Sequence, residues 1–379
     1  MSHSATTAPV QTRSARVTST NPSDLPPASS NEVNWKFTPL DRITDLLEGP
    51  LTGTRYPFTV TSSGPVTIEW KDVAVAKRGI AGLPEEVAAA RAWSASQEVL
   101  HIAISAQDAS SLTLTRNELD ETPRAAHTII HVAPFAKSTI VLANEGTARL
   151  SENVEFIIGA HAEITVVSLQ DWADDAAHLA THYAHIDAHA TLKHVLVSFG
   201  GDVVRINPSA HLAAEAARGD LLGLYFADSG QHIEHQVYAH HIAPHTVSRV
   251  TYKGALQGDG ARTVWIGDVL IGREAVGTDS YEQNRNLVLT DNTRADSIPN
   301  LEIETGDIAG AGHASATGRF DEEQLFYLES RGITSEEARR LVVRGFLNEV
   351  VQSIGIADVE ERVTASLDRE LAEGSLNVT

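Results

Sequence analysis

The sequence contains no cysteine. A chain without cysteine cannot form the disulfides that support small secreted scaffolds, so a disulfide-rich extracellular fold is excluded. It also offers no thiolate for nucleophilic catalysis or for metal binding. Any metal contact made by this chain must therefore use imidazole, carboxylate or backbone groups.

Basic residues are in the minority, with 29 Lys and Arg against 50 Asp and Glu and a formal net charge of -21. A field of this sign repels phosphate backbones and anionic headgroups, so we expect neither nucleic acid nor a membrane as a partner. The sequence also lacks an apolar run of about 18 residues that could span a bilayer. Because the N-terminus has no apolar stretch of a secretory signal either, we expect a cytoplasmic protein.

Motifs of the common enzyme classes are missing. Gly200-Gly201 and Gly258-Asp259-Gly260 are not phosphate-binding loops, since neither is followed by Lys-Ser or Lys-Thr. There is no GxSxG nucleophile elbow, and the acidic residues are not clustered as a polysaccharide-active enzyme would require. We predict a non-catalytic protein that does not bind ATP alone. A generic binding module with a helical docking tail is the alternative.

The chain divides into regions of different pattern. Residues 1–30 are rich in Ser, Thr and Pro, which predicts a disordered leader. Residues 31–110 have a mixed pattern with a helix near residues 83–96. Residues 111–312 carry recurrent short β-branched segments between turn residues, which are typical of strands. These segments include residues 128–132, 138–142, 154–158, 164–169, 192–199, 263–266 and 287–290.

A weak repeat runs through the strand-rich region. Ala160-His161-Ala162 and Ala188-His189-Ala190 each precede a predicted strand, and residues 160 and 188 are 28 apart. A repeat of this length with a strand in each unit favours a solenoid. The periodicity alone leaves a β-sandwich almost equally well supported.

Residues 313–379 predict a helical region. Thr334 and Glu337 have the spacing of a capping box. One face of the helix that follows carries Ala338, Leu341, Val342, Gly345, Phe346 and Val350. A further helix over residues 358–371 has a stripe of Val359, Val363, Leu367 and Leu371. An amphipathic tail of this kind either packs on its own core or receives a partner.

Four segments carry a resemblance to the SufB/SufD family of iron–sulfur cluster assembly proteins. They are residues 252–256 (YKGAL), 286–290 (NLVLT), 295–303 (ADSIPNLEI) and 312–333 (GHASATGRFDEEQLFYLESRGI). The resemblance implies a mainly β fold, with a right-handed parallel β-helix core at 111–312 between an N-terminal mixed or helical region and a C-terminal helical domain.

The resemblance also implies partners. Family members form a SufB–SufD heterodimer, each subunit binds a SufC-type ATPase through its C-terminal helices, and clusters are assembled at the heterodimer interface. The absence of cysteine favours the SufD branch, because SufB-type members use a Cys for assembly. We expect no cofactor stably bound to the isolated chain, a transient iron–sulfur cluster at the interface with SufB, and a homodimer when that partner is absent.

His313 is the residue to which the resemblance assigns a role. The matching histidine of relatives lies at the heterodimer interface, and many relatives have a Cys two residues earlier, where this chain has Ala311. A neutral imidazole is a good iron ligand, so His313 is the predicted metal-binding and cluster-assembly residue. The alternative is a histidine that only forms hydrogen bonds in a small-residue turn. For the cluster of His182, His185 and His189 and for the pair His240-His241, we expect structural or surface roles.

Overall fold

The computed structural model describes residues 13, 16–105, 109–319 and 322–375, and in it eighteen strands form two sheets of nine strands each. Sheet I contains, in spatial order, β1 (Thr59–Ser63), β4 (Ser110–Arg116), β6 (Lys137–Gly146), β8 (Glu163–Trp172), β10 (Thr191–Phe199), β12 (Arg218–Ala227), β14 (Val247–Leu256), β16 (Asp279–Val288) and β18 (Gly310–Arg319). Sheet II contains β17 (Arg294–Ile303), β15 (Arg262–Ile271), β13 (His232–His241), β11 (Val203–Leu212), β9 (Ala177–Ile186), β7 (Arg149–Ile158), β5 (Arg124–Val132), β3 (Glu98–Ile104) and β2 (Val66–Asp72).

The chain alternates between the sheets from β3 onward, so β3–β18 form a parallel solenoid of about eight coils. Among the strands of the described residues, only the pairs β1–β4 and β2–β3 at the first end are antiparallel. Most strands of the middle coils are buried on both faces, which is the usual condition of parallel sheets. The predicted β-solenoid is therefore confirmed, and the β-sandwich alternative is wrong.

The predicted repeat lies at one corner of the coils. His161 and His189 occupy equivalent turns, their backbones have positive φ angles of 59° and 56°, and their rings stack with centroids 4.9 Å apart. Phe135 extends the stack by one coil, 4.8 Å from His161. The amide of each residue donates to a carbonyl of the next coil, as from His161 to Ala188 O at 2.9 Å. These turns link neighbouring coils by hydrogen bonds and ring stacking.

Helical layers cover the outer faces of both sheets. Sheet II is covered by 3₁₀ turns at Pro22–Asp24 and Leu40–Ile43 together with α1 (Thr44–Leu47) and α2 (Val87–Ala95), and Trp35 and Leu46 are buried there. Sheet I is covered by α4 (Ser335–Ser353) and α5 (Ala357–Ser375), which follow α3 (Glu322–Ser330). α4 packs on β12 and β14, and α5 packs on β10. No helix in the described part of the chain is long and apolar enough to cross a membrane.

The C-terminal helices agree with the sequence pattern in part. Thr334 accepts a hydrogen bond from the Glu337 amide at 3.3 Å, as the capping-box spacing predicts. The predicted stripe of α5 is buried against sheet I, with Val363 fully buried, so of the two alternatives the tail packs on its own core. The buried face of α4 overlaps the predicted one in part: Ala338 and Val350 are buried as predicted, whereas Leu341 is 41% exposed. Val343 and Leu347, which the sequence pattern did not include, are buried as well.

The region boundaries differ from those drawn on the sequence. Strands begin at Thr59, and the boundary between 312 and 313 falls inside β18. The Gly, Ala and Ser residues of β18 lack the β-branched signal by which the other strands were recognised. Of the predicted disordered leader, residues 1–12 and 14–15 lie outside the described residues. In residues 16–30, Leu25 is buried and the Ser19 amide donates to Pro84 O at 2.9 Å, so this part packs on the core.

Candidate functional site

The last coil leaves one end of the solenoid open. Within the described residues, β18 pairs only with β16, and β17 only with β15. Seven of the ten positions of β18 are exposed, whereas β12 and β14 of the same sheet have no exposed position. An unpaired strand edge presents free backbone donors and acceptors that another chain can bind. The open end is therefore the place where this fold can be extended by a second protein.

His313 lies on this open end, in register with Glu282 of β16. Residues in register on neighbouring parallel strands point to the same face of a sheet. The Glu282 carboxylate lies against Trp265 and Gly267 of the opposite sheet, so it points into the solenoid interior. His313 therefore lies one coil further out, where the solenoid interior opens to solvent. We call this opening the mouth of the solenoid. Its side chain is 44% exposed, that of Glu282 is fully buried, and His313 Nδ1 is 3.8 Å from Glu282 Oε1.

Glu282 is a buried carboxyl group that no hydrogen-bond donor contacts within the described residues. Neither of its oxygens has a hydrogen-bond partner among the described residues. Burial, with a smaller contribution from the negative charge of Asp268, raises the pKa of Glu282 to about 8. Buried polar groups are rarely left unpaired, because each unmade hydrogen bond costs free energy. Glu282 is an exception to this rule, and it lies directly beside His313, the predicted site residue.

Polar and aromatic side chains continue from Glu282 into the interior of the coils. We call this set the interior column; it consists of Trp265, Tyr252, Tyr225, His235, His194 and His182. The ring centroids of Tyr225 and His235 are 5.2 Å apart, and His182 Nδ1 is 3.1 Å from His194 Nε2. Burial lowers the pKa of His182 to about 4 and that of His235 to about 3, so these imidazoles are neutral at physiological pH.

The other histidines do not converge. His182 points into the interior, whereas His189 lies in a corner turn and stacks on His161. His241 is buried and its two nitrogens lie 2.8 and 2.9 Å from the hydroxyls of Thr246 and Ser248. Among the residues that the structure describes, no group of three or more His, Asp and Glu side chains could hold a metal ion.

The sequence analysis did not identify Glu282 or the interior column. Glu282 precedes His313 by 31 residues, and only the strand register shows that the two are neighbours. A usable signal was nevertheless present. The polar residues Glu282, Asn284 and Asn286 alternate in β16, and all three are buried. Buried polar residues at a spacing of two mark one face of a strand.

Comparisons with known proteins show the family to which the chain is similar. Residues 114–346 match the family model described as SUF system FeS cluster assembly, SufBD core domain. An iron-sulfur cluster assembly SufBD family protein of Mycobacterium leprae is 44% identical over 355 residues, which are 91% of this chain and 90% of the relative. A SufBD family protein of Mycobacterium bovis is 44% identical over 358 residues, 91% of this chain and 89% of the relative.

A different SufBD family protein of Mycobacterium bovis is 32% identical over 201 residues, which are 53% of this chain and 24% of that relative. The chain therefore belongs to the SufB/SufD family of iron–sulfur cluster assembly proteins. At least one organism holds two distinct members of this family, a full-length relative of this chain and a more distant paralogue.

Proposed function

We propose that this chain is a SufD-type, non-catalytic scaffold subunit that pairs with a SufB-type paralogue and binds a SufC-type ATPase in the cytoplasm. The observation that carries the proposal is the open last coil, where His313 is exposed at an unpaired strand edge. A partner that docks on this edge brings its own donor groups next to His313. The iron–sulfur cluster is the cargo of this interface.

The donor groups of the chain support the SufD assignment. With no cysteine, the chain cannot supply the thiolates that usually hold a cluster. His313 provides one imidazole, and Ala311 and Gly312 beside it are small enough for another backbone to approach closely. A cysteine-bearing paralogue would supply the missing thiolates. The presence of two family members in one organism is compatible with such a pair.

The C-terminal helices provide the proposed ATPase surface. The apolar faces of α4 and α5 are already buried against sheet I, so they are not free to bind a partner. Apolar side chains remain exposed on the other side of this layer: Phe326 is 72% exposed, Tyr327 56% and Leu341 41%. Exposed aromatic side chains of this kind are typical anchors of protein interfaces. We therefore assign ATPase docking to α3 and the outer face of α4.

Affinity measurements on purified subunits test this assignment. We expect Phe326→Ala to weaken ATPase binding by roughly tenfold or more, as for an interface anchor. Val75→Ala is the matched control, because Val75 is 70% exposed and lies near the N-terminal end of the solenoid. Unchanged ATPase affinity in Phe326→Ala would place the docking surface elsewhere. Point variants are preferable to deletion of residues after Gly332, which would uncover the apolar outer face of sheet I.

Pairing is tested separately by mixing the chain with a cysteine-bearing SufB-type paralogue. We expect a stable one-to-one complex in which the last coil is protected from hydrogen exchange. To block the edge, Ser315→Pro removes a backbone donor from β18, and it should weaken the complex. Ser62→Pro is the control, since β1 is the last strand of sheet I at the opposite end. Equal weakening by both variants would argue against pairing through the open coil.

A further inference from the structure

Glu282 is a buried carboxyl group that no contact within the described chain explains. Its oxygens lack hydrogen-bond partners among the described residues, and the nearby charge of Asp268 is negative, so it does not compensate the carboxyl group. A structural carboxyl group at a fully buried position is normally paired with a cation or a donor. The chain thus retains, inside the mouth of the solenoid, a group whose partner must come from outside.

The geometry indicates what that partner is. The 3.8 Å between His313 Nδ1 and Glu282 Oε1 is too long for a direct hydrogen bond. A single transition-metal ion holds nitrogen and oxygen ligands at about 2.1 Å each, which sets the two donors roughly 3.0–3.4 Å apart at angles of about 90–109°. The observed pair therefore needs to close by only about half an ångström to hold one ion.

We propose that Glu282 is the second protein donor of a divalent-metal site with His313, and that ferrous iron is the ion it receives. This inference rests on the proposed function, in which His313 stands at the cluster-assembly interface. Imidazole together with carboxylate is a donor set that suits ferrous iron and its neighbours in the first transition row. Solvent molecules and the partner subunit supply the remaining ligands.

The surroundings favour a cation at this position. The chain carries a net charge of -21, which raises the local concentration of cations at its surface. Gly267 keeps the space beside the carboxylate open, because a methyl group there would overlap both Glu282 and the Trp265 ring. The exposed His313 side chain lies 3.8 Å from the buried carboxyl group, so an ion would approach from the open end. Ferrous iron that enters from the open end would therefore contact His313 first and then the more deeply buried Glu282.

Anaerobic titration of the isolated full-length chain with Co(II), followed by visible absorption, tests the site, and Fe(II) calorimetry repeats the measurement with the proposed ion. We expect Glu282→Gln and His313→Ala each to weaken the tightest site at least tenfold. The double variant should be no weaker than the single variants, because loss of either donor removes the same site. Glu274→Gln is the matched control on an exposed loop residue and should bind as the wild type does.

Melting temperature separates a donor role from a structural one. Because Glu282 has no partner in the fold, Glu282→Gln should melt within a few degrees of the wild type, and Glu282→Met keeps the volume if the amide is poorly tolerated. Wild-type Co(II) affinity in both Glu282 variants would overturn this inference. If His313→Ala alone weakened binding, the proposed function would still stand. Normal cluster content in a His313→Ala complex would instead refute the role of His313 itself.

Discussion

Acidification should lower the free energy of unfolding of this fold at pH values well above those at which carboxylates become protonated. Seven histidines are at most 3% exposed, and four of them form no ion pair with a carboxylate among the described residues: His182, His194, His235 and His241. Burial lowers the pKa of His182 to about 4 and of His235 and His241 to about 3, and it holds the pKa of His194 well below 6.5. The folded chain keeps them neutral, while the unfolded chain protonates them near pH 6.5.

The magnitude follows from proton linkage. A base with a depressed folded pKa gives its full stabilisation above its unfolded pKa and loses it as the pH falls from there towards the folded pKa. Between pH 7.5 and 5.5 each such histidine costs about 1.4 kcal/mol of unfolding free energy, so the four cost roughly 5 kcal/mol. This loss is comparable to the whole stability of many domains, which is about 5–15 kcal/mol.

Two measurements test the estimate. Denaturant unfolding followed by circular dichroism at pH 7.5 and 5.5 should show the loss of stability directly. Potentiometric titration of native and urea-unfolded protein should show that His235→Gln takes up about 0.9 fewer protons on unfolding at pH 5.5 than the wild type. His245→Ala is the control for the substitution of a histidine, because His245 is exposed in the folded chain. Equal stability at the two pH values, or equal proton uptake by His235→Gln and wild type, would refute the reasoning.

Three further predictions concern single positions and ATP. Arg116→Ala should lower the unfolding free energy by about 3–5 kcal/mol, because Arg116 contacts Glu152 twice at 2.7 Å and its loss leaves that buried carboxylate with only the His178 imidazole beside it. Thermal melting against the exposed control Arg55→Ala measures this. Gly267→Ala should cost about 1–3 kcal/mol through overlap with Trp265, and a melting temperature equal to that of the wild type would contradict it. The isolated chain should show no saturable ATP binding in calorimetry, since it lacks a phosphate-binding loop; micromolar binding would contradict this.

The strands of the β-solenoid could be predicted because most coils carry β-branched residues between turns, whereas the choice of a solenoid over a β-sandwich came from the family resemblance. β7 and β10 are recognisable in this way, since burial on both faces demands apolar residues. β18 could not be recognised, because its exposed Gly, Ala and Ser residues are not selected by packing within the chain. The strand that matters most for the site therefore has the weakest strand pattern. The family resemblance, rather than periodicity, pointed to His313.

The partner of His313 could not be predicted because the coils differ in length. In-register residues are 26 apart from Ala177 to Val203, and 32 apart from Arg262 to Arg294. With this variation, a position one coil away from His313 is uncertain by several residues, and a strand error of one residue reverses the side-chain direction. Glu282 thus became identifiable as a neighbour only from the three-dimensional register.

The most direct test of the central claim is the cluster content of a reconstituted complex with SufB-type and SufC-type partners that carries His313→Ala. Iron and acid-labile sulfide, melting temperature and heterodimer affinity are measured on the same preparation, with His245→Ala as the control. We predict that cluster content falls roughly tenfold or more, as on loss of a metal-site residue, while melting temperature and heterodimer affinity remain those of the wild type. Wild-type cluster content in a well-folded His313→Ala complex would contradict the account.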